Sequence, residues 1–284
     1  MDIGEFVVGM LNALSRGVSS GAVSDLLLSP DQYNAGMYAA AVQLHNVAVK
    51  PVTAVVLSIV AVLSIASGAS RLDQGDQQMG IRMIAGAMFR VAMVLVATEA
   101  SLQILRAIDQ VVVLISSQAN GLNVGGTAQA QPLGDVMEGQ IKEAGITEQM
   151  VMIVVLLLPW IVSAVVSVLA TVLVFVRFLQ LYVMTAFASL PIAFFGMEST
   201  KGIGMGYVKR YATTAFQGAV LIISLKLYQA LMGGWLSHGL KIDEGTDVFG
   251  LVTNNMGQFF VAPFVLAFIL FGSTALARAI VGEG

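Results

Sequence analysis

The sequence contains no cysteine and few charged residues. Without cysteine the chain forms no disulfide, uses no thiol nucleophile and holds no metal through thiolates. Only 11% of its residues are charged, whereas soluble domains have about 25%. Together with 57% hydrophobic residues and a mean hydropathy of +0.85, this composition is typical of a polytopic membrane protein.

The chain also lacks a basic surplus and a recognisable catalytic pattern. A net charge of −3 and a pI near 5.3 argue against a stable nucleic-acid partner, because such binding needs a basic face. The two histidines, His45 and His238, lie too far apart in sequence to form a local metal motif. No nucleophile, base and orienting residue can be assembled, so the sequence predicts no enzyme, no cofactor and no metal site.

The sequence is rich in long apolar runs, and the longest of them covers residues 150–196. Residues 150–176 carry no charge and exceed the roughly 20 residues that an α-helix needs to cross a hydrocarbon core. The following part holds Arg177, Gln180 and Tyr182. A lipid-facing helix would not carry this polarity, so we expect the part after residue 176 to lie inside protein or at an interface.

Further apolar stretches predict the other helices of an all-α fold. Residues 47–66 form the expected first crossing, with Lys50 snorkelling from its entrance. Residues 81–117 predict one helix of about 37 residues, about 55 Å long, which outruns the bilayer. Residues 211–231 and 259–276 predict two more spans.

Two domains follow from this pattern. Residues 1–46 are expected to form an N-terminal amphipathic, extracytoplasmic segment, because apolar residues recur there at helical spacing. Residues 47–284 are expected to form a single helical membrane domain with extracytoplasmic loops at 117–147 and 233–256. The first ten residues include Asp2 and Glu5 and no basic region, so we expect internal segments to direct insertion.

Polar side chains recur along the predicted helix 81–117. Glu99, Gln103 and Arg106 follow helical spacing, so Gln103 is placed to bridge the other two. Arg90 lies about 180° away and needs a partner at membrane depth, where an unpaired charge costs at least about 2.5 kcal/mol. Two interpretations stay open: the end carrying Arg106 is solvated outside the membrane, or this face lines water in an oligomer.

The positions of lysine and arginine favour five crossings. Acidic loops, one of which holds Asp243, alternate with basic ones, and placing the basic loops in the cytoplasm puts the N-terminus outside and the C-terminus inside. The stretch after Arg177 is then interfacial or re-entrant. Six crossings with both termini inside are the alternative. The basic loop residues are Arg71, Arg82, Lys201, Lys209, Arg210 and Arg278.

One stretch resembles a known family. From Arg177 the chain reads RFLQLYVMTAFASLPIAFFG, and GYVKRYA and Gln217-Gly218 follow. This pattern resembles the central region of TrbL-type proteins, polytopic membrane components of type IV secretion and conjugation machines, especially versions carried by Gram-positive bacteria. The resemblance also covers residues 33–82 and the next span. Where the family pattern leads us to expect a proline after Ala188, this chain has Ser189.

The resemblance implies an oligomeric platform or channel subunit in the cytoplasmic or inner membrane, which supports substrate translocation or pilus assembly. The implied partners are further copies of the chain, other membrane subunits of the machine, pilus or surface-fibre subunits, and lipids, with DNA only as transported cargo. The implied core and bend residues are Arg177, Gln180, Tyr182, Pro191 and Gln217. The implied residues of a subunit contact or hydrated path are Arg90, Glu99, Gln103 and Arg106.

Other interpretations stay open at this point. Arg177 would be a simple cytoplasmic anchor if its side chain reached the membrane surface. A stand-alone small-solute or ion transporter is the alternative function, and it predicts internal repeats and broken helices that meet at mid-membrane. No repeat relates the two halves, although Pro159 and Pro191 allow broken helices. The sequence does not separate a conduit from a passive scaffold.

Overall fold

Helices make up every regular element in the part of the chain that the structure describes. The computed structural model describes residues 2–72, 77–122, 132–239, 248–254 and 256–282. The predicted all-α fold class is confirmed. The α-helices are α1 (Ile3–Arg16), α2 (Ser20–Leu26), α3 (Pro30–Tyr33), α4 (Ala35–Leu44), α5 (Lys50–Leu72), α6 (Gln77–Glu99), α7 (Ser101–Gly121), α8 (Leu133–Val136), α9 (Glu138–Glu143), α10 (Ile146–Ala186), α11 (Ser189–Ala193), α12 (Lys201–Gly239), α13 (Val248–Asn254) and α14 (Met256–Val281).

Several of these helices are long and apolar enough to cross a membrane. Within the described residues there are three such candidates, Ala35–Ala66, Ile146–Ala186 and Met256–Val281. The bent pair of α6 and α7 counts as a fourth if the two helices form one broken span rather than a re-entrant loop. The predicted span at 211–231 lies in α12, which is not among the candidates found in the described residues. The polytopic class is therefore confirmed, and the count of five crossings stays a prediction.

The first candidate span begins earlier than expected. α4 starts after Asn34, whose side chain accepts a 3.0 Å hydrogen bond from the amide of Met37. The helix continues through a π-helical segment, His45–Val49, into α5, so the helix that holds the predicted crossing begins before residue 47. Pro51 lies two residues after the end of this segment. A proline lacks the N–H group for the helix ladder, and the wider π turn before it accommodates this loss.

The predicted single helix over residues 81–117 is wrong. α6 ends at Glu99, α7 begins at Ser101, and their axes differ by 62°. The sequence around the break, Thr98-Glu99-Ala100-Ser101, contains neither glycine nor proline. Thr98 Oγ1 donates a 2.8 Å hydrogen bond to the Leu95 carbonyl. Such side-chain bonds to the main chain bend helices, and they leave no strong signal in the sequence.

The central helix α10 is interrupted after Ala186. It passes through Pro159 and Arg177 without ending, and a turn at residues 187–188 then separates it from α11. α11 contains Pro191 and leads into a 3-10 helix, Phe194–Gly196. The kinked stretch expected after Arg177 therefore begins later than Arg177 itself.

The chain forms two compact units, each assembled from separate segments. The first unit consists of Met1–Leu27, Leu114–Phe175 and Gly218–Thr274. In it α1 packs against α8 and α9, so the predicted loop 117–147 contains helices. Gly17 caps the C-terminal end of α1, and its φ of 72° favours glycine. The core of this unit contains Val7, Met10, Leu11, Leu14, Leu133, Met137, Ile141, Met152, Leu156, Val252 and Phe259.

The second unit consists of Leu28–Val113, Val176–Gln217 and Ala275–Gly284. α5, α6 and α11 pack together in it through the buried side chains of Leu57, Val94 and Ala193. The division into residues 1–46 and 47–284 stays a prediction.

The predicted loop 233–256 is helical at both ends. α12 continues to Gly239, and α13 covers Val248–Asn254. Asp243, on which the acidic character of this loop partly depends, lies outside the described residues.

Candidate functional site

Arg177 is a buried charge in the second unit. Its side chain is 3% exposed, although it lies on α10, the most apolar candidate span. Nε donates to the Thr214 carbonyl at 3.2 Å and Nη2 donates to the Ala215 carbonyl at 3.1 Å. The guanidinium carbon lies 4.9 Å from the centre of the Phe178 ring, which adds a cation–π contact. This protein environment shelters the guanidinium.

Asp109 provides the opposite charge. It is 6% exposed on α7 and is attracted electrostatically by Arg177. Tyr211, fully buried on α12, donates a 2.7 Å hydrogen bond to Asp109 Oδ2. A buried carboxylate needs both a counter-charge and hydrogen bonds, and these two residues supply them. Arg177, Asp109 and Tyr211 are named the buried polar cluster below.

Aromatic residues attach the short helix α3 to α10 beside this cluster. The rings of Tyr33 and Phe178 stack with centroids 3.9 Å apart and planes inclined by 8°. Tyr182, which is also buried, donates a 2.8 Å hydrogen bond to the Pro30 carbonyl. Phe178 therefore contacts both Arg177 and α3.

The remaining residues of the predicted core and bend differ in their surroundings. Gln180 is exposed on the surface of α10. Pro191 is half-buried in α11, directly after the interruption of the central helix. Gln217 is buried on α12. The structure thus groups Arg177 and Tyr182 around α3 and α12, and it places Gln180 on an outer surface.

The predicted polar stripe of Glu99, Gln103 and Arg106 is interrupted by the bend at Ala100, and Arg90 lies apart from it on α6. All four residues are exposed, and the bend at Ala100 separates Glu99 from those on α7. Arg90 pairs with Glu198 at 3.1 Å, and Glu99 pairs with Lys50 at 2.7 Å. Arg106 Nε donates to the Tyr38 hydroxyl at 2.9 Å and lies over its ring. Gln103 is exposed on α7.

A cavity of about 320 Å³ lies beside the Lys50–Glu99 ion pair. Residues of α5 and α6 and Ser189 of α11 form its walls. Thr53 Oγ1 lies 2.9 Å from Ser189 Oγ, and both side chains are buried. The serine that replaces the expected proline after Ala188 therefore takes part in a buried polar contact. Among the described residues, no three His, Asp or Glu side chains form a group that could hold a metal ion.

Sequence reasoning missed Asp109, Tyr211, Lys50 and Ser189 as site residues. Tyr211 is remote in sequence from Asp109, so no local spacing predicts their hydrogen bond. Lys50 was expected to snorkel to the surface; it is exposed there and pairs with Glu99, a partner that the sequence did not indicate. The available signal was chemical: a charged residue within an apolar helix requires a partner, and Lys50, Glu99, Asp109 and Arg177 are such residues.

The fold and the buried polar cluster define a helical, multi-pass membrane protein that buries an arginine and an aspartate in its interior. Residues 17–189 match the family model described as TrbL/VirB6 plasmid conjugal transfer like protein. This match covers more than half of the chain, so the chain belongs to that family, a structural class of transfer-system component. It is a membrane component of a conjugal transfer system. No curated protein and no solved structure matches the chain.

Proposed function

We propose that this protein is an oligomeric platform or channel subunit of a type IV secretion machine in the cytoplasmic or inner membrane. It supports substrate translocation, pilus assembly or both. Its partners are further copies of the chain, other membrane subunits of the machine, and pilus or surface-fibre subunits. Its N-terminus lies outside the cell membrane and its C-terminus in the cytoplasm. Family membership supports the machine, and the positive-inside pattern supports the orientation.

The exposure of polar side chains on apolar helices supports the proposal that the protein forms an oligomer. Gln180 is exposed on α10, and Gln103 and Arg106 are exposed on α7. Such side chains are expensive at lipid-facing positions, and in membrane proteins they face other helices or water-filled cavities. A second copy of the chain or a hydrated path would remove this cost.

Disulfide crosslinking tests the oligomer directly because the chain has no natural cysteine. Gln180→Cys and Gln103→Cys place single thiols at the proposed contact, and oxidation of intact membranes is expected to yield covalent dimers. The matched control is Val154→Cys, which lies on the same helix as Gln180 and is 73% exposed among apolar neighbours. We expect this control to remain monomeric.

The outcomes separate the proposal from its alternatives. Equal crosslinking at Gln180 and Val154 would indicate random collision, and no crosslinking at either glutamine position would contradict the oligomer. A photoreactive residue at Gln103 distinguishes a channel from a platform. In a channel this residue is expected to crosslink to DNA or protein cargo during active transfer. In a platform it is expected to crosslink only to subunits of the machine.

A further inference from the structure

The cavity beside the Lys50–Glu99 ion pair combines an apolar wall with a charged rim. Its apolar wall consists of Ala54, Leu57, Ala61, Val91 and Leu95. Leu95 is 52% exposed and the side chains of Lys50 and Glu99 are 45% and 61% exposed, so the cavity opens at the protein surface. Its volume of about 320 Å³ lies near the lower end of the roughly 300–1,000 Å³ of ligand pockets. This space suits a small polar group rather than a large ligand.

The rim of the cavity carries one positive and one negative side chain. Lys50 Nζ and Glu99 Oε2 are 2.7 Å apart. An ammonium has three donors and a carboxylate has two acceptor oxygens, so this single contact leaves bonding capacity on both partners. A ligand that carries an anion and a cation a few bonds apart would complement both groups. A ligand with only one charge would satisfy one group and be repelled by the other.

Hydroxyl groups extend the acceptor side of this rim. Ser58 Oγ donates to the Ala54 carbonyl at 2.8 Å, and Thr98 Oγ1 donates to the Leu95 carbonyl at 2.8 Å. Because each hydroxyl hydrogen is used within its own helix, the oxygen is left as an acceptor. Both residues line the cavity together with Glu99. The polar groups of the cavity therefore favour a ligand with N–H donors.

The surface around the opening is apolar. Ile65 on α5 is 39% exposed and follows Ala61 by four residues, so it continues the face of α5 that lines the cavity. Met88 on α6 is 60% exposed and precedes Val91 by three residues, so it continues the lining face of α6. Both helices belong to candidate membrane spans or to the bent pair. A ligand reaching this cavity from the membrane would lay hydrocarbon against these side chains while its polar end entered the cavity.

We propose that this cavity binds the headgroup of a phospholipid that carries a primary ammonium, of the phosphatidylethanolamine type. The phosphate accepts hydrogen bonds from Lys50, and the ammonium donates to Glu99 and to the hydroxyls of Ser58 and Thr98. The acyl chains lie on the exposed apolar faces of α5 and α6. A choline headgroup has no N–H donor, and a glycerol headgroup has no cation, so each satisfies only half of the rim.

Lipid exchange in nanodiscs tests this assignment with the full-length protein. Purified protein is equilibrated in nanodiscs of mixed ethanolamine, choline and glycerol phospholipids, and native mass spectrometry measures the lipids that remain bound. We expect the ethanolamine lipid to be enriched about tenfold over the other two, as one additional charge-assisted hydrogen bond would produce. Equal retention of all three lipids would overturn the proposal.

Three variants localise the binding. Glu99→Gln removes the carboxylate charge and is expected to abolish the preference for the ethanolamine lipid over the choline lipid. Ala61→Leu fills the apolar wall without touching either charge, and it is expected to reduce binding of all three lipids. The matched control is Glu198→Gln, which breaks the exposed ion pair with Arg90 that does not line the cavity. This control is expected to retain the wild-type preference.

Two results would contradict the binding of the lipid in this cavity. Wild-type selectivity in both Glu99→Gln and Ala61→Leu would show that the bound lipid lies elsewhere. A change of oligomeric size in Ala61→Leu without any change in lipid content would show that a second copy of the chain occupies the cavity. Ala61→Leu leaves the Lys50–Glu99 pair intact, so it keeps the test decisive if Glu99→Gln fails to fold.

Discussion

Tyr211 donates a 2.7 Å hydrogen bond to Asp109, and the two residues lie on different helices with both side chains buried. We expect Tyr211→Phe to lower the free energy of unfolding by about 1.5–3 kcal/mol, because the buried carboxylate loses a donor. Thermal unfolding of the purified protein in detergent measures this loss.

Tyr207→Phe is the matched control for this change. Tyr207 donates a 2.6 Å hydrogen bond to the Met184 carbonyl, so the same atom is removed from a bond to a neutral acceptor. The expected loss is about 1 kcal/mol. Equal losses in the two variants would show that the charge of Asp109 does not contribute to the strength of its bond with Tyr211.

The Asp109–Tyr211 contact also shows which part of the site could be predicted from the sequence. Apolar runs indicated the long helices, because their length matches a bilayer. The charge on Arg177 indicated a sheltered environment, because lipid does not solvate guanidinium. The identity of the partner residues depends on how distant helices pack, and helical spacing carries no information about that contact.

The ends of the helices also differ in how far the sequence predicts them. Ser29 and Gln32 form the capping box at the start of α3. The sequence Ser29-Pro30-Asp31 is typical of a helix start, so the beginning of this helix can be recognised from the sequence. The bend at Ala100 has no such local signal, because it coincides with side-chain bonds and packing rather than with glycine or proline. A continuous apolar pattern therefore predicted one helix where the structure has two.

Substitution of Arg177 tests whether this residue is a buried structural charge or a surface anchor. The two hydrogen bonds from Arg177 to carbonyl groups and its cation–π contact with the Phe178 ring depend on a planar guanidinium. We expect Arg177→Ala to lower the free energy of unfolding by about 3–5 kcal/mol, because two buried carbonyl groups each lose a charged hydrogen-bond donor. Asp109 also loses the electrostatic attraction of the guanidinium. Conjugal transfer is expected to fall strongly while membrane insertion persists, and mating assays with membrane fractionation measure both.

Arg177→Lys separates the two interpretations of this residue. A lysine serves as well as an arginine in a cytoplasmic anchor, so an anchor predicts normal transfer. A lysine cannot reproduce the forked contacts with Thr214 and Ala215, so the buried cluster predicts a clear defect. Normal transfer by both Arg177→Ala and Arg177→Lys would remove Arg177 from the functional residues.

Gly134 occupies a position in α8 where a side chain does not fit. A Cβ atom there would lie 2.6 Å from Asn12 Oδ1 and would also collide with the Val8 carbonyl oxygen. Asn12 cannot move freely, because it accepts a 3.1 Å hydrogen bond from the Asp135 amide and donates a 2.7 Å bond to the Asp135 carboxylate.

Gly134→Ala is therefore expected to destabilise the first unit by about 1–3 kcal/mol, the usual range for overpacking. Gly139→Ala is the control, because a Cβ at Gly139 meets no atom within 4 Å. Limited proteolysis of the N-terminal helix α1 and thermal unfolding measure the difference. Equal stability of the two variants would contradict the close packing of α1 against α8.

The proposed orientation predicts opposite accessibility at two exposed positions. Asp135 lies in the segment expected outside the membrane, and Lys201 lies among the basic residues expected in the cytoplasm. Since the chain contains no natural cysteine, Asp135→Cys and Lys201→Cys each carry a single thiol. A membrane-impermeant maleimide added to intact cells or spheroplasts is expected to label the first variant and to label the second only after lysis. Labelling of the Lys201 variant from outside would overturn the five-crossing topology, because the basic loop would then lie on the extracytoplasmic side.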